Sequence, residues 1–408
     1  FGSQLSAQFY YQQASSRTVP ADNRRTIFRS ISQTAVETEK FGTRAQINTP
    51  LLENLGVLWG VDYVSESITN PLIDFDPIAF RRSEGTVFRP IGERFFSPPY
   101  EVDNLGLFAQ ASWEANDELS ITGGLRWERI ALSVDDYDVL GLASIGSIQG
   151  GEIDISDLVF NVGAVYDLTD NISAFASFSQ GFSAPDFGRV LRLPRGFRSV
   201  QESFRITEPL VVDSYEIGLR GDWGDVQTSV AGFYSYSETG ETVRPSADGS
   251  FLILERAPQR IYGVEASLDW QVAPTWALGS IFSWVEGEGE NDRGDFVALG
   301  SRNIQPLKLT FYVQNETLPN WTNRLQALYV GGRDRALEAG VDALGVESYF
   351  LVDFLSRYDF GNNSGLRLGI QNLFDNQYFP VDSQLQTLNS RNTPGLGRTF
   401  SLEYTFSW

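Results

Sequence analysis

The stretch that most constrains this chain is its last one. From Pro394 it reads Pro-Gly-Leu-Gly-Arg-Thr-Phe-Ser-Leu-Glu-Tyr-Thr-Phe-Ser-Trp. Phe400, Leu402, Tyr404, Phe406 and Trp408 alternate with Ser401, Glu403, Thr405 and Ser407. A period of two sets five large apolar groups on one face of a strand and small or charged ones on the other. A soluble edge strand does not carry such a face to its last residue. A strand deep in a sandwich shares the pattern, and so does a strand of a membrane-spanning barrel, where one face meets lipid and the other a wet lumen. The rest of the chain decides between them.

The alternation recurs upstream. Leu105, Leu107, Ala109, Ala111 and Trp113 oppose Gly106, Gln110 and Ser112, while Leu119, Ile121, Leu125 and Trp127 oppose Ser120, Thr122, Arg126 and Glu128. Tyr262, Val264, Ala266, Leu268 and Trp270 oppose Glu265, Ser267, Asp269 and Gln271. Sixteen strands are predicted in all. The first eight run at 3–13, 36–49, 55–66, 102–115, 118–132, 155–168, 171–183 and 208–223. The others run at 226–238, 259–272, 275–286, 304–316, 321–331, 349–360, 364–377 and 394–408. Short connections rich in Asp, Asn, Gly and Pro, such as Ala115–Asp117, Gly224–Asp225 and Ala273–Pro274, have the residues that tight turns need. Between them lie long loops at 14–35, 67–101, 133–154, 184–207, 239–258, 287–303, 332–348 and 378–393. Turns at one end and loops at the other, sustained over sixteen strands, are the build of an outer-membrane barrel with its loops extracellular. The fold expected is therefore all-β, a transmembrane antiparallel up-and-down β-barrel, with 1–408 as one unit.

Composition narrows the chemistry. No apolar run is long enough for a transmembrane helix. Without histidine or cysteine a Ser-His-Asp triad, disulfides and thiolate metal sites are excluded. No enzyme is expected. The net charge of −21 argues against nucleic acid as a partner. The chain shows neither an initiator Met nor a signal peptide, so it reads as processed or as part of a longer protein.

Several stretches go beyond barrel patterning. Ala176-Ser-Phe-Ser-Gln-Gly-Phe-Ser-Ala-Pro-Asp, Asp213-Ser-Tyr-Glu-Ile-Gly-Leu-Arg, Arg260-Ile-Tyr-Gly-Val-Glu-Ala, Leu368-Gly-Ile-Gln-Asn-Leu-Phe-Asp-Asn-Gln-Tyr and Gly397-Arg-Thr-Phe resemble, in this order, segments of TonB-dependent outer-membrane receptors. The closing aromatic also resembles the signal by which the barrel-assembly machinery takes up such chains. The resemblance implies a twenty-two-stranded barrel, an N-terminal plug and a TonB box. Counting back from Trp408 puts Ser3–Gln12 on the seventh strand, so plug, TonB box and six strands are expected outside this sequence. It further implies energy-coupled import of a scarce ligand, most often a ferric siderophore, with TonB as partner. Iron then travels inside the cargo, and no cofactor or metal bound by protein residues is expected. Haem is disfavoured, because Phe182-Ser-Ala-Pro is not followed by the histidine that haem receptors use.

The loop expected to bind is 184–207. It holds Arg189, Arg192, Arg195, Arg198 and Arg205 with Phe187, Phe197 and Phe204, in an otherwise acidic chain. Guanidinium groups beside aromatic rings suit a chelate with anionic and apolar parts. Its Pro-Asp-x-Gly-Arg run resembles hydroxamate–citrate siderophore receptors. The competing reading has these arginines bind lipopolysaccharide phosphates or pair with acids of neighbouring loops. Arg81, Arg82, Arg89 and Arg94, and Arg333 and Arg335, are secondary candidates. The run Glu286-Gly-Glu-Gly-Glu-Asn-Asp lacks calcium-loop spacing and reads as solvated loop. Trp59, Trp113, Trp127, Trp270, Trp276 and Trp321 read as anchors at the membrane interface, in contact with outer-membrane lipid. A complete sixteen-stranded passive porin is the functional alternative, and a barrel adhesin a third.

Overall fold

The computed structural model describes residues 2–25, 28–139, 147–192, 198–204, 209–245, 252–291, 293–361, 363–386 and 392–407. The chain forms β1 (Gln4–Arg17), β2 (Ala21–Asp22), β3 (Ile31–Leu52), β4 (Leu55–Phe75), α1 (Pro77–Arg82), β5 (Pro90–Glu114) and β6 (Leu119–Val134). It continues as β7 (Tyr137–Asp138), β8 (Ser147–Ile148), β9 (Gly151–Thr169), β10 (Ile172–Ser183), α2 (Phe187–Arg192), α3 (Val200–Phe204), β11 (Leu210–Asp222) and β12 (Val226–Ser237). Next come β13 (Glu241–Pro245), β14 (Leu252–Arg256), β15 (Gln259–Ala273), β16 (Trp276–Glu290), β17 (Phe296–Ala298) and β18 (Lys308–Leu318). The chain ends with β19 (Trp321–Val330), α4 (Arg335–Glu338), β20 (Tyr349–Gly361), β21 (Ser364–Gln371), α5 (Val381–Gln384) and β22 (Thr399–Phe406).

Eighteen strands share one sheet; setting aside the short β2 and β17 leaves the sixteen that the alternation predicts. Each long strand pairs antiparallel with the long strands before and after it, from β1 on β3 to β21 on β22. This is an up-and-down barrel wall. Among the described residues β1 pairs only with β3 and β22 only with β21.

Polarity identifies the faces. Arg126 donates to both carboxylate oxygens of Asp62 at 2.9 and 3.0 Å, and its Nε to Glu128 at 2.7 Å. Such a network cannot face hydrocarbon. No side chain would fit at Gly106, because the Arg126 guanidinium lies across it. Even-numbered residues of β6 therefore line the lumen, and Leu125 and Trp127, in register with Ala109 and Leu107, face lipid.

The lipid face measures itself. Aromatic residues stand eight positions apart on five strands: Tyr215 and Trp223 on β11 and its turn, Tyr262 and Trp270 on β15, Trp276 and Trp284 on β16, Trp321 and Tyr329 on β19, Phe350 and Tyr358 on β20. Eight residues at about 3.3 Å each give about 26 Å along the strand, or about 20 Å of height at a tilt of about 40°. Trp223, Trp270, Trp276, Trp321 and Tyr358 mark the turn side; the others mark the loop side. Trp59 does not follow the expectation of an anchor. It sits four residues into β4 opposite Ala109, inside the apolar band. Because Leu219 is midway between Tyr215 and Trp223 and half exposed, Leu219→Arg is expected to remove about 2–4 kcal/mol of stability. Glu216→Arg, on the lumen side, is expected to remove far less. Urea unfolding of the protein in lipid vesicles measures both, and a larger loss for Glu216→Arg would reverse the assignment of faces.

Above the loop-side row the wall continues. β4 runs twelve residues past Tyr63 and β5 starts at Pro90, so most of the expected 67–101 loop is a tall hairpin with α1 at its tip. Short hairpins β7–β8 and β13–β14 fill other loops. The predicted strand 364–377 ends at Gln371, since Asn372 and Asp375 take left-handed conformations (φ 49° and 57°) and turn the chain away. The last strand begins at Thr399 rather than at 394, and β18 at Lys308 rather than 304.

Candidate functional site

The mouth of the barrel is closed on one side by the segment that follows β10. Ile130, Leu132 and Val134 continue the lumen-facing parity of Arg126 and Glu128, so above the membrane the inner wall turns apolar. On it pack Phe187 and Leu191 of α2, Val200 and Phe204 of α3, and Val139 and Ile148, in one buried cluster. The rings of Phe187 and Phe204 are 5.6 Å apart. Tyr137 donates its hydroxyl to the Leu191 carbonyl at 2.8 Å, and Gln149 bridges backbone to backbone with Arg198 and Val200. The described parts of this loop, α2 and α3, are thus folded inward as a cap.

This placement separates the candidate residues. Phe187 is core, not surface. Arg189 reaches Asp186, 3.5 Å away, which also accepts the Arg189 backbone N–H at 2.9 Å. Arg198 is exposed, its backbone N–H held by Glu202. Arg195, Phe197 and Arg205 lie outside the described residues. Arg192 lies against the inner wall of β5, its guanidinium carbon 3.6 Å from the centre of the Phe96 ring. Its Nε is sealed from solvent without an acceptor. Burial pulls the Arg192 pKa down from its ordinary value, against the opposing pull of Asp186. Beneath α2, burial first and then the Asp186 carboxylate push the Tyr100 hydroxyl up to about 12. Phe96 and Tyr100 gave no signal in the sequence, because their stretch reads as irregular loop.

The secondary arginines divide likewise. Arg81 and Arg82 end α1, exposed at the tip of the β4–β5 hairpin. Arg94 is engaged: it donates to Asp74 at 2.6 and 2.8 Å and also to the Phe28 carbonyl and the Ser30 hydroxyl. Arg333, with 4% of its side chain exposed, bonds Glu286 at 3.0 Å and the Ser301 hydroxyl at 3.0 Å. Arg335 bonds Glu286, Glu288 and the Tyr262 hydroxyl. Glu286 and Glu288 are therefore not solvated loop. They extend β16 and are nearly buried by these cations and by Arg260. A second inward cap, α5 with Val381 and Leu385, packs on Val330 and Val346.

Asp74 supplies a test by acid. Burial tends to raise its pKa, but hydrogen bonds from Arg94 and Ser30 outweigh this and hold it below the ordinary 3.8. A depressed carboxylate adds stability above its ordinary pKa and loses it as pH falls through the lower folded value. Exchange of the amides around Phe28–Ser30, corrected for intrinsic rate, is expected to rise only below about pH 4. Asp74→Asn should raise it already at neutral pH and remove the pH step. A wild-type profile without that step would show the clamp to be independent of the Asp74 charge.

Comparison with known proteins agrees with this architecture. The family model "TonB dependent receptor-like, beta-barrel" matches residues 1–373. A ferric aerobactin receptor of Klebsiella pneumoniae is 28% identical over 99% of this chain and 58% of its own length. A rhizobactin receptor of Rhizobium meliloti (strain 1021) is 28% identical over 90% of this chain and 52% of its own. The chain thus spans little more than half of these relatives. The copper transporter OprC superposes with a TM-score of 0.80 at 18% identity, over 99% of this chain and 62% of OprC. That likeness speaks to fold alone. The caps, the two aromatic rows and the family match converge, and the chain belongs to the TonB-dependent receptor-like β-barrel family, transport receptors of the bacterial outer membrane.

Proposed function

We propose that this chain is the C-terminal barrel portion of a receptor that imports a ferric siderophore by energy-coupled transport. The observation that carries the reading is the 28% identity to a ferric aerobactin receptor along 99% of the chain. The inward cap of α2 and α3 supports it, since Arg189, Arg192 and Arg198 there offer an anionic chelate a site above the membrane. In this reading six further strands complete the barrel beyond β1 and β22, a plug fills the lumen, and TonB drives its displacement. Lipopolysaccharide surrounds the loop-side aromatic row, the assembly machinery takes up the last strand, and the chain itself catalyses nothing.

The test uses the full-length gene in an iron-starved strain without other siderophore receptors. Radiolabelled ferric aerobactin is expected to enter only cells with intact TonB. Equal entry without TonB, or steady open-pore conductance of the intact gene product in a planar bilayer, would make the protein a passive porin instead.

A further inference from the structure

Arg192 has an unusual setting. Among the described residues five arginines around the mouth are already matched: Arg94 by Asp74, Arg189 by Asp186, Arg260 by Glu288, Arg333 and Arg335 by Glu286. Arg192 lies flat on Phe96, and no carboxylate or carbonyl of the described residues accepts from it. Asp186, just before α2, is occupied by the Arg189 side chain and backbone. Leaving the Nε of a largely buried guanidinium without an acceptor is unfavourable, because its lost hydration is not replaced.

The geometry shows where the replacement would come from. Nε is sealed, whereas Nη1 and Nη2 are not and take no hydrogen-bond partner among the described residues. A ring stack fixes the plane of a guanidinium while leaving its edge free, and that edge is a two-toothed fork. Such a fork matches the two coplanar oxygens of a carboxylate. Asp186 nearby, in a chain of net charge −21, favours a singly charged group over a doubly charged one.

We propose that Arg192 is the anion receptor of the mouth, and that the cargo it admits presents a free carboxylate in addition to its iron-binding groups. This rests on the siderophore reading and sharpens it from "ferric chelate" to "ferric chelate bearing a carboxylate". Phe96 is the positioning residue: it holds the fork in plane and never meets the anion's charge itself.

The test compares two ferric trihydroxamates with identical iron centres, one ending in a neutral acetyl cap and one in a succinyl cap with a single carboxylate. Each is titrated by tryptophan fluorescence into the purified full-length receptor. The succinyl form is expected to bind about tenfold tighter, the scale of one charge-assisted bidentate contact. Arg192→Met and Arg192→Gln should erase that ratio, Arg192→Lys should keep part of it, and Arg189→Met should keep it whole. Retained near-ultraviolet circular dichroism distinguishes lost recognition from lost folding. A wild-type ratio near one, or an unchanged ratio in Arg192→Met, would overturn the proposal while leaving siderophore import standing. Failure of ferric aerobactin to enter wild-type cells would overturn the siderophore reading, and this proposal with it.

Discussion

Arg333→Met is expected to remove about 3–5 kcal/mol from the tie that holds the loops above β16 and β19, the scale seen when one partner of a buried ion pair is taken away. The reason is arithmetic of charge rather than of contact. Arg333 is almost wholly buried, and without it Glu286, itself only 12% exposed, keeps one hydrogen-bonded cation, the half-exposed Arg335. The Ser301 hydroxyl loses its donor at the same time. Removing both charges, in Arg333→Met with Glu286→Leu, should cost less than Arg333→Met alone, because Arg335 can turn back to water. Hydrogen exchange of residues 299–304 and 331–346 reads the difference. If the single variant exchanges like the parent, the tie is ornamental and the loops are held by Val330, Val346, Val381 and Leu385 instead.

Leu191→Ala is expected to weaken the other cap by about 2–5 kcal/mol, the range for truncating a buried leucine. Leu191 is 1% exposed at the centre of the cluster that joins α2 to the inner wall. The helix is six residues long, too short to persist without that anchor. Exchange protection should therefore fall across α2 and α3 together, with the strands below unaffected. The variant separates two roles that the arginines share. A cap that loosens yet still binds the carboxylate-bearing chelate at the parent's affinity would mean that Arg192 does not need its seat on Phe96.

How much of this was legible in the residues differs between the two halves of each strand. Within the membrane one face must be apolar, so Leu105 to Trp113 or Tyr262 to Trp270 announce themselves by alternation. Above it neither face meets lipid, and the constraint lapses. The upper β4–β5 hairpin also carries register shifts near Asn70, Pro71 and Phe75, which break the parity on which the pattern depends. That is why it read as loop. The arginine-rich segment could be singled out by composition, yet which guanidinium is free could not. Arg333 finds Glu286 47 residues away, and Arg94 finds Asp74 20 residues away. Phe96 meets Arg192 from a distant strand. Such partners are set by strand register and by inward folding of the loops, neither of which leaves a local trace.

The constant interval of eight residues between aromatic rows has a consequence for where this barrel is at rest. A belt about 20 Å high fits a thin hydrocarbon layer, and the bacterial outer membrane is thinner than average. In a thicker bilayer the strands cannot lengthen and, being mutually hydrogen-bonded, cannot tilt one at a time. The lipid must deform instead, at a fraction of a kcal/mol for each ångström of mismatch. The five strands that share the interval belong to one continuous antiparallel sheet, so that penalty falls on this stretch of wall together and makes it a gauge of membrane thickness.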